Sequence, residues 1–217
     1  MHTALGDSSA APHPPRASDA DLLDDSDSAE ATHLMMRVVG FAETVLLIPR
    51  AGEAGADVET FNTALTGLAR IGVARSVAPL SDPTDAASLA RASRRVLGAL
   101  EESPVPQVEW APLSRILGDD ELAGLVEIST SSLTRYRAGE RTTPDLVAAR
   151  LHVVALIVSD LIGSYNDFGV RRWFQRPRKA LDGKSPKQAL SRGWAPDDRD
   201  VGRVRDLARM LLGATLG

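Results

Sequence analysis

The chain has 217 residues, of which 43% are hydrophobic and 4% aromatic, so it is long enough for one or two small domains with an apolar core. It contains no cysteine, which excludes disulfide bonds, zinc sites built on thiolates and cysteine nucleophiles, and fits a reducing cytoplasmic location. Residues 1–129 carry 20 acidic and 9 basic side chains, a net charge of −11, whereas residues 130–217 carry 9 acidic and 16 basic ones, a net charge of +7. The basic second half predicts either an anionic partner or a surface whose basic side chains are merely solvated.

Residues 1–30 contain few large apolar side chains and are rich in Ala, Ser, Asp and Pro. Such a composition cannot bury enough apolar surface to fold, so we predict a disordered acidic tail. Its acidic residues and prolines also argue against a signal peptide. No stretch of the chain reaches the roughly 18 uncharged apolar residues that cross a bilayer, so the sequence predicts no membrane partner.

Residues 31–103 predict a helical N-terminal extension, for which the sequence suggests no chemistry. Its first segment, residues 31–48, has apolar side chains on more than one helical face. This pattern indicates a helix that is buried or binds a partner, although Thr44–Ile48 alone could form a strand.

Further helices follow in the extension and just after it. The second is predicted from Val58 to Val77. The third starts at Asp82–Pro83, a capping residue followed by proline at the first helical position, and ends near Glu102. The segment 103–107 contains two prolines and predicts a linker, after which Pro112 starts another short helix.

Residues 108–165 predict a helix-turn-helix region. The stretch 119–141 places apolar side chains where two short crossing helices must pack against each other: Leu122, Val126, Ile128, Leu133 and Tyr136. Ser129 is a good N-cap for the second of these helices because its hydroxyl can accept a hydrogen bond from free backbone N–H groups. We predict that this helix runs from Thr130 to about Ala138 and stops at Gly139, which tolerates the left-handed conformation of a helix end.

The outward face of this second helix combines short hydroxyls with guanidinium groups, which reach base edges and phosphates without blocking the major groove. We therefore predict a DNA-binding set: Ser131, Ser132, Thr134, Arg135, Arg137 and Arg141. Glu127 lies in the turn between the two helices, where glycine is common because the backbone often needs positive φ. This residue argues against the interpretation. The alternative is a helix-turn-helix shape that serves packing alone.

The next helix is predicted from Pro144 to Gly163, capped by Thr143. Apolar residues lie almost all round it, which indicates burial on several sides at a domain centre or a dimer seam. His152 has no carboxylate or histidine at ligand spacing, so we predict a structural role and no metal site. The sequence shows no nucleophile elbow, phosphate loop, carboxylate pair or metal-ligand cluster, and therefore predicts a protein that is not an enzyme and needs no cofactor.

The last segment, residues 166–217, contains an ordered set of unusual residues directly after the helix-turn-helix region. Two aromatic residues are followed by Pro, Ala-Leu, Gly, a Ser-Pro that opens a helix closing at Gly193, and then a final amphipathic helix: Trp173, Phe174, Pro177, Ala180, Leu181, Gly183, Ser185, Pro186, Leu190, Gly193, Val204, Leu207 and Gly213. This pattern resembles the toxin-binding domain of the MbcA/ParS/Xre antitoxins over about residues 110–217. The loop after Gly193 is longer than usual there, and the N-terminal extension is not part of the family pattern.

The resemblance implies an all-α fold, with an Xre-like helix-turn-helix followed by a small helical toxin-binding domain, assembled as a homodimer or higher oligomer. It implies two partners, operator DNA and a RES-domain toxin that consumes NAD and whose active-site cleft the antitoxin's C-terminal end covers. Trp173 is expected in the core of the module. By position, the toxin-facing residues are expected to be Arg171, Arg172, Lys179, Lys184, Leu212, Gly213, Thr215 and Gly217. The alternatives are a DNA-binding transcriptional regulator, or a protein-docking adaptor, that has no toxin partner.

Overall fold

The computed structural model of the chain describes residues 19–50, 57–80, 86–191 and 193–214, with side chains for 27–50, 57–80, 86–191 and 193–211. Within those ranges the fold is all-α, as predicted, and has no β-strand. Its ten α-helices are α1 Asp19–Thr44, α2 Val58–Arg70, α3 Ala86–Glu101, α4 Pro106–Leu117, α5 Asp119–Leu125, α6 Thr130–Arg137, α7 Asp145–Ile162, α8 Asp167–Gln175, α9 Pro186–Ala189 and α10 Arg199–Ala214. A 3-10 turn, Lys179–Leu181, lies between α8 and α9. No single helix among these is long and apolar enough to cross a membrane, and only α7 and α8 taken together, bent by 119° at their junction, reach that length and apolarity.

Helix α7 is the centre of the fold. Every residue from Leu151 to Leu161 is buried, and the helix packs against α1, α4, α8 and α10. The prediction of burial on several sides, drawn from the apolar residues all round this helix, is confirmed. The buried side chains before and after the segment 103–107 belong to one continuous core, so α7 joins the two halves of the chain.

Helix α1 begins earlier than the sequence suggests. Residues 19–30, for which the composition predicts disorder, form its first part, whereas residues 1–18 lie outside the described residues. The segment 19–30 has no glycine or proline to stop a helix. The carboxylate of Glu30 also lies 2.7 Å from the guanidinium of Arg94 on α3. The helix ends at Thr44 and a turn follows it, so the alternative of a strand is wrong.

Helix α2 is shorter than predicted. It ends at Arg70 and not at Val77, because Gly72 and Ala74 both adopt positive φ, of 97° and 54°, and turn the chain. The predicted cap at Asp82–Pro83 lies outside the described residues.

Three predicted boundaries of the later helices are wrong. Helix α4 begins at Pro106, and Pro112, the predicted start, lies inside it. Both prolines suit a helix start, and the second is tolerated inside the helix at the cost of one backbone hydrogen bond. Thr143 does not cap α7, because its Oγ1 accepts a hydrogen bond from Trp110 Nε1 at 3.0 Å instead. Helix α9 closes at Ala189 and not at Gly193.

Helix α4 positions the elements that follow it. It packs against α5, α6, α7 and α8, so contacts with this one helix position four others. The Trp110 ring stacks on Tyr136 of α6 with a centroid distance of 5.9 Å, as expected for a packing residue. Arg171 of α8 donates a hydrogen bond to the Ile116 carbonyl at 2.6 Å, which fixes α8 against the C-terminal end of α4.

Candidate functional site

The short helices α5 and α6 pack against each other through the residues that the sequence predicted. Leu122, Val126 and Leu133 are fully buried, Tyr136 is 8% exposed, and Ile128 is partly buried against the core. A helix as short as α6 is not stable alone, so this packing is what holds it. The predicted burial is confirmed.

The predicted start and end of α6 are also confirmed. Ser129 is the N-cap, and its hydroxyl accepts a hydrogen bond from the Ser132 backbone N–H at 3.2 Å. The helix is capped by Ala138, and Gly139 follows with φ of 71°, a left-handed conformation that costs glycine nothing. Ser129 and Gly139 therefore set the two ends of α6.

Glu127, in the turn between α5 and α6, adopts the positive φ that normally favours glycine. Its φ is 57°, which is unfavourable for a side chain with a Cβ. The carboxylate compensates, because Oε1 accepts a hydrogen bond from the Gly193 backbone N–H at 2.6 Å and Oε2 lies 3.0 Å from Arg150 Nη1. Arg150 in turn donates to the Trp194 carbonyl at 2.8 Å. The turn is thus tied to α7 and to the loop after α9.

The exposed face of α6 carries the residues proposed to contact DNA. Ser131, Thr134 and Arg135 are exposed, and Ser132 is half-buried with its hydroxyl 3.0 Å from Ser129 Oγ. Within the described part of the chain, the Arg135 guanidinium has no hydrogen-bond or ion-pair partner. Nothing in that part of the protein therefore competes for this cation.

The other two arginines of the DNA-binding set are placed differently. Arg137 Nη1 lies 2.6 Å from Asp119 Oδ1, and this hydrogen bond holds the pKa of Asp119 below its usual range. Arg137 would have to leave that carboxylate to reach a phosphate. Arg141 is exposed and its guanidinium lies 5.8 Å from the centroid of the Tyr136 ring, a cation–π contact that leaves its outer edge accessible.

The residues expected to face a toxin differ in their exposure. Arg171 is half-buried and bonded to α4, while Arg172 and Lys179 are exposed, and Lys184 is exposed with its Nζ 3.4 Å from Asp200. Trp173 is 2% exposed and lies in the core, as predicted. The tail residues of this set are Leu212 and Gly213, whose side-chain surroundings are not described, and Thr215 and Gly217, which lie outside the described residues.

The Ser-Pro and Gly positions of the C-terminal module have clear local roles. Ser185 and Gln188 form a reciprocal capping box at the start of α9, where Pro186 takes the first position. Asp182 and Gly183 make the preceding turn with φ of 55° and 80°. Arg203 of α10 ties that turn down by donating to Asp182 Oδ2 at 2.8 Å, and this contact lowers the pKa of Asp182.

No protein-family model, no curated protein and no solved structure matches this chain. The likeness to antitoxins rests on the residue pattern alone.

Sequence reasoning missed a buried pair of titratable side chains. His152 has a carboxylate beside it after all, because α4 brings Glu109 Oε1 to 2.5 Å from His152 Nδ1. Glu109 is fully buried and His152 is 2% exposed. The signal was present as an acidic residue between Val108 and Trp110 in an apolar helix, which requires a partner inside the protein.

Among the described residues, no group of three or more His, Cys, Asp and Glu side chains could hold a metal ion. His152 Nε2 is also engaged, at 2.6 Å from the Leu100 carbonyl, so both ring nitrogens are occupied by the protein. This arrangement gives His152 a structural role in linking α3, α4 and α7.

Proposed function

We propose that this protein is the antitoxin of a type II toxin–antitoxin pair, which represses its own operon through α5 and α6 and neutralises a RES-domain toxin through its C-terminal module. The observation that carries the proposal is the division of α6 into two faces. Leu133 and Tyr136 hold one face in the core, while Ser131, Thr134 and Arg135 are exposed on the helix. This is the arrangement that a recognition helix needs.

The chemistry of the exposed face suits a DNA groove. Arg135 and Arg141 supply phosphate or guanine contacts, and the hydroxyls of Ser131 and Thr134 supply contacts that set the register. No large side chain projects from the first turn of α6, where Ser129, Thr130 and Ser131 follow one another and are all exposed. A helix of this kind fits the major groove with its N-terminal end leading.

The toxin-binding part of the proposal rests on charge and on the resemblance. Residues 130–217 carry a balance of +7, and Arg172, Lys179 and Lys184 present part of it to solvent. These cations would steer an acidic partner surface towards the module. In this proposal the protein acts in the cytoplasm, as a homodimer or higher oligomer, by covering other molecules and not by catalysis.

Replacing Arg135 and Arg141 together with alanine should weaken binding to the DNA upstream of the protein's own gene by about a hundredfold, since each lost charged hydrogen bond costs about tenfold. The slope of log affinity against log salt should fall by about 2. Gel-shift titrations at several salt concentrations measure both quantities. Arg95→Ala, which removes an exposed arginine from α3, is the matched control and should bind DNA like the wild type.

The same double variant tests whether the two surfaces are separate. Neutralisation of a co-expressed RES-domain toxin should be unchanged, because Arg135 and Arg141 lie outside the proposed toxin-facing set. If a folded double variant lost DNA binding and neutralisation together, separate surfaces would be wrong.

A second candidate function, a protein-docking adaptor, is favoured by one observation. The carboxylate of Asp119 engages Arg137 at 2.6 Å, so an acidic side chain adjoins the face that would meet phosphates. An adaptor would use α5 and α6 for packing only. Absence of any gel shift with the upstream DNA, at low as well as physiological salt, would favour the adaptor.

A further inference from the structure

A small pocket beside α8 collects three arginines, of which the proposed function uses only Arg172. Its volume is about 200 Å³, and it is lined by Tyr165, Gly169, Arg172, Trp173, Arg176 and Arg178. None of these six residues carries a carboxylate. Arg172 and Arg176 are exposed, so the pocket is open to solvent on their side.

Arg178, which lines this pocket, has one unsatisfied donor atom. The Nε atom of Arg178 is buried and has no hydrogen-bond partner among the described residues. Buried donors of a charged group are costly to leave unpaired, so such an atom calls for a missing partner. The Arg178 guanidinium is held 5.5 Å from the centroid of the Trp173 ring, which fixes it against an immobile surface.

Within the part of the chain that the structure describes, Arg172, Arg176 and Arg178 take part in no ion pair. Three cations around one cavity repel one another, and an anion at their centre would reverse the sign of that interaction. This feature is independent of the buried Nε atom.

The other residues that line the pocket are closely packed. A Cβ placed on Gly169 would lie only 2.9 Å from Tyr165 Cδ1, so the absence of a side chain is what lets the tyrosine ring lie against α8. The Trp173 ring packs edge-on against Phe174 in the core, with centroids 5.2 Å apart. A pocket with fixed walls loses little entropy when a ligand binds.

We propose that this pocket is a binding site for a phosphate group, free or as the terminal group of a small phosphate ester. Each guanidinium presents a planar fork of donors, and three forks match the several oxygens and the double charge of a phosphate better than the two oxygens of a carboxylate. The volume is below the roughly 300–1,000 Å³ of pockets for drug-sized ligands, which favours the phosphate group as the part recognised. The site shares only Arg172 with the proposed toxin-facing set, and Arg176 and Arg178 belong to neither the DNA-binding nor the toxin-facing residues.

Isothermal titration of the full chain with inorganic phosphate, at constant ionic strength, tests this site. Saturable binding at one site is expected, and Arg172→Gln and Arg176→Gln should each weaken it about tenfold through loss of a charged hydrogen bond. Arg172 and Arg176 are both exposed, so their variants should fold, and circular dichroism checks this. A third variant, Arg178→Gln, loses the contact with Trp173. Arg95→Gln on α3 removes the same charge elsewhere and should leave binding unchanged.

Two further probes define the ligand class. Sodium acetate should bind at least about tenfold more weakly than phosphate, because it offers fewer oxygens and less charge. If adenosine 5′-monophosphate binds more tightly than inorganic phosphate, the ligand is a nucleotide. If the two affinities are equal, the pocket recognises the phosphate group alone. Absence of saturable heat up to roughly 10 mM phosphate, or equal losses in Arg176→Gln and Arg95→Gln, would overturn the proposal.

Discussion

Replacing Arg150 with alanine is expected to lower the free energy of unfolding by about 3 kcal/mol, because it removes a buried cation that bonds both to Glu127 and to the Trp194 carbonyl. The Arg150 side chain is 8% exposed, and it pairs with Glu127 at 3.0 Å and donates to the Trp194 carbonyl at 2.8 Å. Its guanidinium also lies 5.5 Å from the centroid of the Trp194 ring. Without it, only the hydrogen bond from the Gly193 backbone N–H would compensate the unfavourable positive φ of Glu127.

Urea unfolding followed by circular dichroism measures this loss, and two variants control for its cause. Arg150→Met keeps the apolar stem and should recover part of the stability that alanine loses. Glu127→Gly removes the carboxylate but also relieves the positive φ, so it should cost less than Arg150→Ala. A stability of Arg150→Ala within about 0.5 kcal/mol of the wild type would show that the ties of this turn to α7 contribute little.

The second large effect concerns Glu109, whose replacement with glutamine is expected to change how stability depends on pH. Burial raises the pKa of Glu109 above its usual value of 4.5. The Leu100 carbonyl can only accept, so His152 Nε2 carries a proton, and a further proton lies between His152 Nδ1 and Glu109 Oε1. The folded state therefore keeps a proton that the unfolded carboxyl group releases.

The sign of the effect follows from this difference in bound protons. Above about pH 6.5, where an unfolded histidine is neutral and an unfolded carboxyl group is ionised, the folded wild type holds more protons than the unfolded chain, so its stability falls as the pH rises. Glutamine still donates a neutral hydrogen bond to Nδ1 but has no proton to lose. The wild type should therefore lose stability relative to Glu109→Gln by up to about 1.4 kcal/mol per pH unit.

Urea unfolding of both proteins between about pH 5 and 8 measures this difference. Glu102→Gln, at an exposed position just after the end of α3, is the matched control and should follow the wild type at every pH. Parallel stability profiles for wild type and Glu109→Gln would mean that the buried pair exchanges no proton on unfolding.

The features that could be predicted from sequence depend on neighbouring residues. Burial of Leu122 and Leu133, the cap at Ser129 and the end of α6 at Gly139 all follow from spacing and from local backbone chemistry. The same holds for α7, whose apolar residues on every side allow only a central position. Together, the spacing and the cap are sufficient to define which face of α6 is exposed.

The features that could not be predicted depend on distant residues. Glu127 and Gly193 are 66 positions apart, and Glu109 and His152 are 43 positions apart, so no local sequence pattern indicates either contact. Judged from its sequence neighbours, Glu127 disfavours the turn, because Arg150 and Gly193, which compensate its positive φ, lie far along the chain. Likewise, the start of α4 is ambiguous because Pro106 and Pro112 each suit a first helical turn, and only packing against α5 to α8 selects between them.

The central claim is that α6 reads a specific DNA sequence, and the affinity of the full chain for the DNA upstream of its own gene tests it most directly. Fluorescence anisotropy at about 0.15 M salt should compare this fragment with a scrambled one of the same length and composition. We expect binding to the upstream fragment that is tighter by at least about a thousandfold. Equal affinity for the two fragments, or no binding to either, would contradict the claim.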